Sequence, residues 1–558
     1  MTIPSPVGDH FRITESGEVS VFVQQLEPVA GSLALSAAVA ALPLVTVLVL
    51  LGAVRLKAHL AGLVGLTVAV LVGWLAYGMP LGQTLSAGAQ GVLFGLFPIM
   101  WIVVNALWVY RMTVRTQHFD ILRRSFGRLS DDPRIQALVI AFCFGALLEA
   151  LAGFGAPVAI CAVMLVALGF DPVKAAVVAL VANTAPVAFG AMGTPVVTLA
   201  QVTGLPLDDV AAVVGRQTPL LALVVPLVLV GLVDGVRGLR ETWVPALVCG
   251  VAFAVAQFAA SNYVSAQLAD IAAALVGAGA LVAVPGARKP APERVRASVL
   301  TGVRSDDLDH EDPRREVLRA YAPYALIVVI FSVAQIPPVK RLLAEATRVF
   351  DWPYLNVFGP TGTPVGANLF TLPVVATGGT LVLLAGLVTA VVLGVRARDA
   401  LREWTATVHE LRYAILTVTS VLALAYVMNL SGQAATIGQF VAAAGAGLAF
   451  LSPVLGWFGV AVSGSDTSAN ALFGALQVSA ARESGLSPEL LAAANSSGGV
   501  LGKMISPQNL TIACAAVGLA GREGDLLRKV LPWSLGLLLV MCLVVMAQST
   551  AVLGWMLP

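Results

Sequence analysis

Two fourteen-residue stretches of this chain share a polar vocabulary. ANTAPVAFGAMGTP runs from Ala182 to Pro195, and ANSSGGVLGKMISP runs from Ala494 to Pro507. Aligned without gaps at a constant offset of 312, Ala, Asn, Gly, Met and Pro coincide, and Thr meets Ser twice. Each copy follows an acid-bearing island. Glu149, in LLEALAGFGAP, lies 34 residues before Asn183, and Asp466, in VSGSDTSANALFG, lies 29 residues before Asn495. Gly and Pro interrupt a helix and free backbone N–H groups, and the positive end of a half-helix holds an anion without a buried cation. Short Ser, Thr and Asn side chains add hydrogen bonds at close range. The candidate substrate-binding residues are therefore Gly153, Gly155, Asn183, Thr184, Thr194, Ser465, Thr467, Ser468, Asn470, Asn495, Ser496 and Ser497.

Glu149 and Asp466 are the candidates for proton coupling. Glu149 is the only ionisable residue between Arg134 and Asp171. A carboxylate at membrane depth is expensive when charged and marks a functional site by default. The plainer alternatives stay open. Small residues in membrane helices serve close packing, and for any single glycine that reading is the stronger one. Glu149 either trades protons or pairs with a basic residue of another helix. Lys503, the one basic residue of the second island, is a possible charge partner for Asp466 or for another acid. No nucleophile–base pair or metal-ligand cluster is visible, so no catalytic residue, metal or cofactor is assigned. The five cysteines, Cys143, Cys161, Cys249, Cys514 and Cys542, lie in or beside apolar segments without a CxxC and read as small buried hydrophobes.

The elements that must position these residues are membrane helices. Hydrophobic residues make up 58% of the 558 and charged residues 11%, so the chain lacks the polar groups to cover a soluble surface. The mean hydropathy is +0.89. The net charge of +2 gives no case for nucleic acid. Apolar runs long enough to span recur at 32–54, 58–77, 90–110, 217–235, 243–260, 265–284, 320–338, 374–394, 413–430, 434–450 and 531–555. Longer runs at 136–168, 172–204, 452–474 and 488–520 are broken by Gly, Pro and polar residues. The expected fold is an all-α polytopic protein of twelve to fourteen crossing or re-entrant pieces, with two pseudo-symmetric, inverted repeats, broken helices and hairpins, the sequence mark of secondary transporters.

Positive charge places Arg55 and Lys57, the run from Arg111 to Arg128, Arg237 and Arg240, and Arg396 to Arg402 on the cytoplasmic side. Parity between the second and third of these requires one apolar region to enter and leave by the same face. Residues 142–160, with Gly153, Gly155 and Pro157, are the expected re-entrant hairpin. The expected organisation is an extracytoplasmic tail at 1–30, a first half at 31–284, a cytoplasmic linker at 285–319 and a second half at 320–558. The repeated phrase is then half of a binding site written once per repeat. Asn183 and Asn495 should approach one another near the bilayer midplane.

FCFGALLEALAGFGAPVAI, NTAPVAFGAMGTP, GSDTSANALFGALQ and NSSGGVLGKMISPQNLTIACAAVGL resemble the signature segments of the bacterial L-lactate permease family. The similarity extends from about residue 30 to the C-terminus and includes RETW at Arg240–Trp243. The resemblance implies a multi-pass uptake carrier of the bacterial cytoplasmic membrane. Its partners would be L-lactate, often with D-lactate and glycolate, the protons of a symport, and the lipid bilayer. It carries over no defined set of binding residues, so the candidates above rest on the physical reading. A carrier for another small carboxylate is the alternative. An anion channel would want a continuous pore of polar rings, whereas polarity here is concentrated in two islands.

Overall fold

The computed structural model describes residues 21–127, 129–153, 155–285, 293, 295, 299–300, 312–360, 362, 364–365 and 368–557. The expected tail at 1–30 is thus described only from Val21. Most of the expected linker at 285–319 lies outside the described residues, as does Phe154 in the expected hairpin turn.

Lipid offers backbone groups no hydrogen-bond partner, so the apolar runs close their own bonds as helices. Among the described residues, nine helices are long and apolar enough to cross a membrane. A bent pair, Pro172–Ala182 with Val187–Thr203, makes a tenth, and Ala156–Ala167, Gly378–Val392 and Gly447–Ser463 are shorter apolar helices. The chain is an all-α polytopic membrane protein with little sheet.

Three expected spans are drawn differently. Residues 434–450 are not one crossing: Gln433–Ala442 ends, the chain turns through Gly445 in a left-handed conformation, and Gly447–Ser463 begins. Glycine and alanine give that stretch hydropathy without helical continuity. Conversely, 217–235 and 243–260 belong to one helical run, Leu207–Tyr263, interrupted at Asp234, Gly235 and Thr242. Arg134 fastens this interruption, donating to Asp234 (3.2 Å) and Glu241 (2.7 Å) while also bonding Asp132.

Ion pairs gather the basic segments at one end of the bundle. Arg111 bonds Glu410, Arg115 bonds Asp399 and Glu403, and Arg124 bonds Asp312. His59 stacks on Tyr413 there. At the opposite end, Phe22–Val23 pairs in parallel with Val357–Phe358, and Arg348–Asp351 pairs antiparallel with Leu369–Leu372. Gln24 donates to the carbonyls of Asn429 and Leu430.

The two halves interleave. The helix Arg412–Ser431 of the second half packs on Ala58–Leu71 and Leu81–Phe94 of the first, while Gly378–Val392 packs on Trp101–Arg115. At the centre, the whole apolar window of Pro133–Leu151 is buried in protein, and Leu490–Gly502 is buried throughout. Two glycines, Gly498 of the second polar phrase and Gly456 of the helix it packs on, show what glycine does here. A Cβ at Gly498 would strike the Pro453 carbonyl, and one at Gly456 would strike the Asn495 carbonyl. The helices Gly447–Ser463 and Pro488–Gly502 therefore touch backbone to backbone.

Gly498→Ala should destabilise the protein by about 1–3 kcal/mol through this overlap. Gly536→Ala, at a helical glycine with open space around it, should not. Thermal unfolding in detergent, followed by tryptophan fluorescence, compares the two, and equal stability of both variants would refute the close-contact account.

Candidate functional site

The centre of the bundle contains two hairpins and two broken spans. The first hairpin runs from Pro133 through Gly145–Ala152, reverses between Gly153 and Gly155, and returns as Ala156–Ala167. Its return is direct: Cys161 Sγ bonds the Ile140 carbonyl at 3.2 Å and faces Gly145. Gly155 has φ +88°, the left-handed region that glycine enters without a Cβ penalty. The second hairpin is Gly447–Ser463, a turn at Gly464–Ser465 and Asp466–Ser484. The first broken span is Pro172–Ala182, a non-helical stretch including Ala191, Met192 and Gly193 at positive φ, and then the rest of Gly190–Thr203. The second is Pro488–Gly502, a short turn at Lys503–Ile505, and Pro507–Ala516.

The repeated phrase therefore breaks a helix in both copies, but at different places. Asn183 is the C-cap where the first helix stops. Asn495 lies inside a helix that continues to Gly502. Pro195 and Pro507 both lie where the second half-helix starts, where proline lacks a donor that has no partner anyway.

Glu149 ends the outward arm of the first hairpin and meets the second half. Its Oε1 accepts from Lys503 Nζ at 2.7 Å and its Oε2 from Asn183 Nδ2 at 2.9 Å. The pair is buried, with side-chain exposures of 4% and 8%. Asp466 opens the helix of the second hairpin, where the helix dipole favours a negative charge. Its Oδ2 accepts from Ser496 Oγ at 2.6 Å and from Asn470 Nδ2 at 3.3 Å. Its Oδ1 is buried without a hydrogen-bond partner.

Asn470 joins the halves a second time, donating to the Pro195 carbonyl at 3.1 Å, while its Oδ1 accepts from Asn495 Nδ2 at 2.9 Å. Asn183 and Asn495 are thus each tied to the acid of their own repeat, the first directly and the second through Asn470. No hydrogen bond joins the two asparagines to each other among the described residues. Around the two acids, the side-chain bonds that cross between the halves are Lys503 to Glu149 and Asn470 to the Pro195 carbonyl.

A cavity of about 1030 Å³ leads to this layer. Arg55, Lys57, His59 and Tyr413 line it at the basic end, and Glu149, Asp466 and Lys503 line it at depth. Gly153, Ser465, Thr467 and Ser468 also face it. Ser465 caps its helix by accepting from the Ser468 N–H. Other sequence candidates are spent internally: Thr184 donates to the Val181 carbonyl and Thr194 to the Ala191 carbonyl. Gly155 packs towards Ile512 and Asn509. Ser497 Oγ is buried without a partner.

Sequence reasoning passed over several members of the polar layer. Gln477 donates to Asn495 Oδ1 and to the Ser452 carbonyl. Asn509 donates to the Lys503 carbonyl, holding the second break. Asp270 is fully buried. It is a lone acid in an apolar run, and the criterion that picked out Glu149 applies to it equally.

Broken helices meeting in a central polar layer, at the base of a cavity that opens toward one end of the bundle, define a multi-pass membrane transporter. The L-lactate permease family model matches residues 36–552, and the chain belongs to that family. The L-lactate permease of Bacillus subtilis (strain 168) is 42% identical over 96% of this chain and 100% of its own length. Glycolate permease GlcA of Escherichia coli (strain K12) is 39% identical over 94% of this chain and 97% of its own. The L-lactate permease of the same strain is 40% identical over 97% and 100%. The solved YdaH transporter of Alcanivorax borkumensis overlaps 85% of this chain and 89% of its own at 15% identity, with a TM-score of 0.48. The protein is a permease and not an enzyme.

Removing one member of a buried ion pair strands the other charge. Lys503→Met should cost about 3–5 kcal/mol of stability, and adding Glu149→Gln should recover most of it. Unfolding midpoints of the two single variants and the double variant in detergent give the cycle. Additive losses would show that the pair is not coupled.

Proposed function

We propose that the chain is a secondary carrier that imports L-lactate, with D-lactate and glycolate as further substrates, by proton symport across a bacterial cytoplasmic membrane. The observation that carries this reading is the Glu149–Lys503 ion pair at the base of the cavity. The relatives named for L-lactate and for glycolate support the substrate class. Both molecules are small 2-hydroxy carboxylates, and both are anions at neutral pH.

The pair supplies a coupling rule. Empty, the Glu149–Lys503 pair is neutral because the two charges cancel. A substrate carboxylate entering from the cavity competes with Glu149 for the ammonium group. Once displaced, Glu149 would be an unpaired buried carboxylate, which costs several kcal/mol. Taking up one proton removes that cost. The empty site and the site holding lactate plus proton carry the same net charge, and the half-loaded states are the expensive ones. The proton also cancels the work of moving an anion against an inside-negative potential, about 2.3 kcal/mol per charge per 100 mV.

Ser465, Thr467 and Ser468 at the turn of the second hairpin are the hydrogen-bonding groups for the substrate. Asp466, held by Ser496 and Asn470, orders that turn. Arg55 and Lys57, which outnumber Glu523 in the cavity lining, favour approach of an anion from the basic end, which the charge rule makes cytoplasmic.

Labelled L-lactate uptake and counterflow in proteoliposomes test the reading. Glu149→Gln keeps size and hydrogen bonding while fixing a neutral side chain. Proton-driven accumulation should fall to background, while lactate–lactate exchange, which needs no net proton release, survives at least in part. Asp466→Asn should damage both activities. Normal accumulation by the Glu149→Gln protein would remove Glu149 from the coupling step. Unitary conductance in place of counterflow would replace the carrier with a channel.

A further inference from the structure

Asp270 begins the helix Ala269–Ala283 and is 0% exposed. It is absent from the cavity lining, which reaches the polar layer from the basic end. It lies toward the other end: Ala266, four residues earlier, packs against Gly193 of the first break, and the exposed Tyr263 ends the preceding helix. Gln257 Nε2 donates to Asp270 Oδ1 at 3.1 Å and also approaches the Ala185 carbonyl of the first break at 3.3 Å. Thr218 Oγ1 lies 3.3 Å from Gln257 Oε1 and shares its one hydroxyl proton between that oxygen and the Val214 carbonyl at 3.0 Å. Asp270 Oδ2 is buried without a hydrogen-bond partner, and no cation lies within ion-pair distance among the described residues. The charged groups close enough to act on it are Glu149 and Lys503. Cys143, on the packed arm of the first hairpin, bonds Cys249 instead.

The three buried acids of this layer are therefore not equivalent. Glu149 has an ammonium partner. Asp466 has two side-chain donors and the start of a helix. Asp270 also sits in the first turn of a helix, but it has one amide donor against the two of Asp466 and no cation against the ammonium of Glu149, so its ionised form has the least support of the three. A neutral carboxyl is the form that this surrounding tolerates.

We propose that Asp270 is a second proton-binding site of the carrier, reached from the end opposite the cavity and placed behind the first helix break from Glu149. This assignment rests on the proton-symport reading above. In the conformation seen here Asp270 holds a proton. When the break rearranges to open the opposite end, the Asp270 O–H bond breaks, the proton passes inward to the Glu149 carboxylate, and the Asp270 carboxylate takes a replacement proton from water on that side. Gln257, which bonds both Asp270 and the break, ties this titration to the rearrangement.

Proteoliposomes with a trapped pH indicator give the decisive comparison. Wild-type protein should acidify the lumen when lactate enters, and failure of that arm would overturn the symport reading itself. With that arm positive, Asp270→Asn should lower proton-driven accumulation and lactate-linked acidification at least about tenfold, keep lactate counterflow, and be partly rescued by Asp270→Glu. Wild-type acidification by Asp270→Asn would overturn the assignment of Asp270 alone. Infrared spectroscopy of the purified protein provides a readout that does not need transport. A protonated-carboxyl C=O band should be present in the wild type, shift in Asp270→Glu and be lost in Asp270→Asn. A band unchanged by Asp270→Glu would count against the proposal even if Asp270→Asn failed to fold.

Discussion

The arrangement depends on one constraint: a charge inside a bilayer must be cancelled where it stands. Lys503 and Glu149 meet this constraint at 2.7 Å, each from a different half of the chain. Neither half can be neutral at its centre without the other. That requirement explains why the two breaks are brought face to face. Separating Lys503 from Glu149 would leave unpaired charges at the buried base of the cavity.

The breaks and the packing answer to the same constraint. A helix interrupted in lipid would expose unpaired backbone groups, so interruptions survive only inside protein or along a wet cavity. Here Gly153 and Gly155 of the first hairpin and Lys503, Met504 and Ser506 of the second broken span are buried, and freed carbonyls find side chains. Asn509 bonds the Lys503 carbonyl and Asn470 bonds the Pro195 carbonyl. The glycines have a second task. Gly456 and Gly498 let two helices touch backbone to backbone, which places Asn495 and Ser496 close to Asn470 and Asp466. Packing and binding are not competing explanations of the small residues. The first makes the second possible.

Much of the architecture was legible in the sequence because the bilayer imposes long apolar runs whose interruptions stand out. The hairpin at 142–160 followed from charge parity and from Gly153, Gly155 and Pro157, and the chain does double back there. The run 434–450 misled because alanine and glycine score as apolar yet do not commit the backbone to a helix, and Gly445 turns it. Asp270 was missed although it stood as alone as Glu149. No repeated phrase and no glycine-rich island drew attention to it.

The sequence by itself determined that the protein spans a membrane many times, that it carries two related polar islands, and that each island has an acid and a helix break. These are properties of composition and local backbone chemistry, and they need no knowledge of neighbours. Only the tertiary structure decided the pairing. The offset of 312 residues suggested that like would meet like. Instead Asn183 serves Glu149, Asn495 serves Asp466 through Asn470, and Lys503 crosses to the acid of the other half. The physical reason is that a repeat fixes which groups recur, whereas charge neutrality is settled in space, between helices whose separation along the chain carries no information about which face they present to one another.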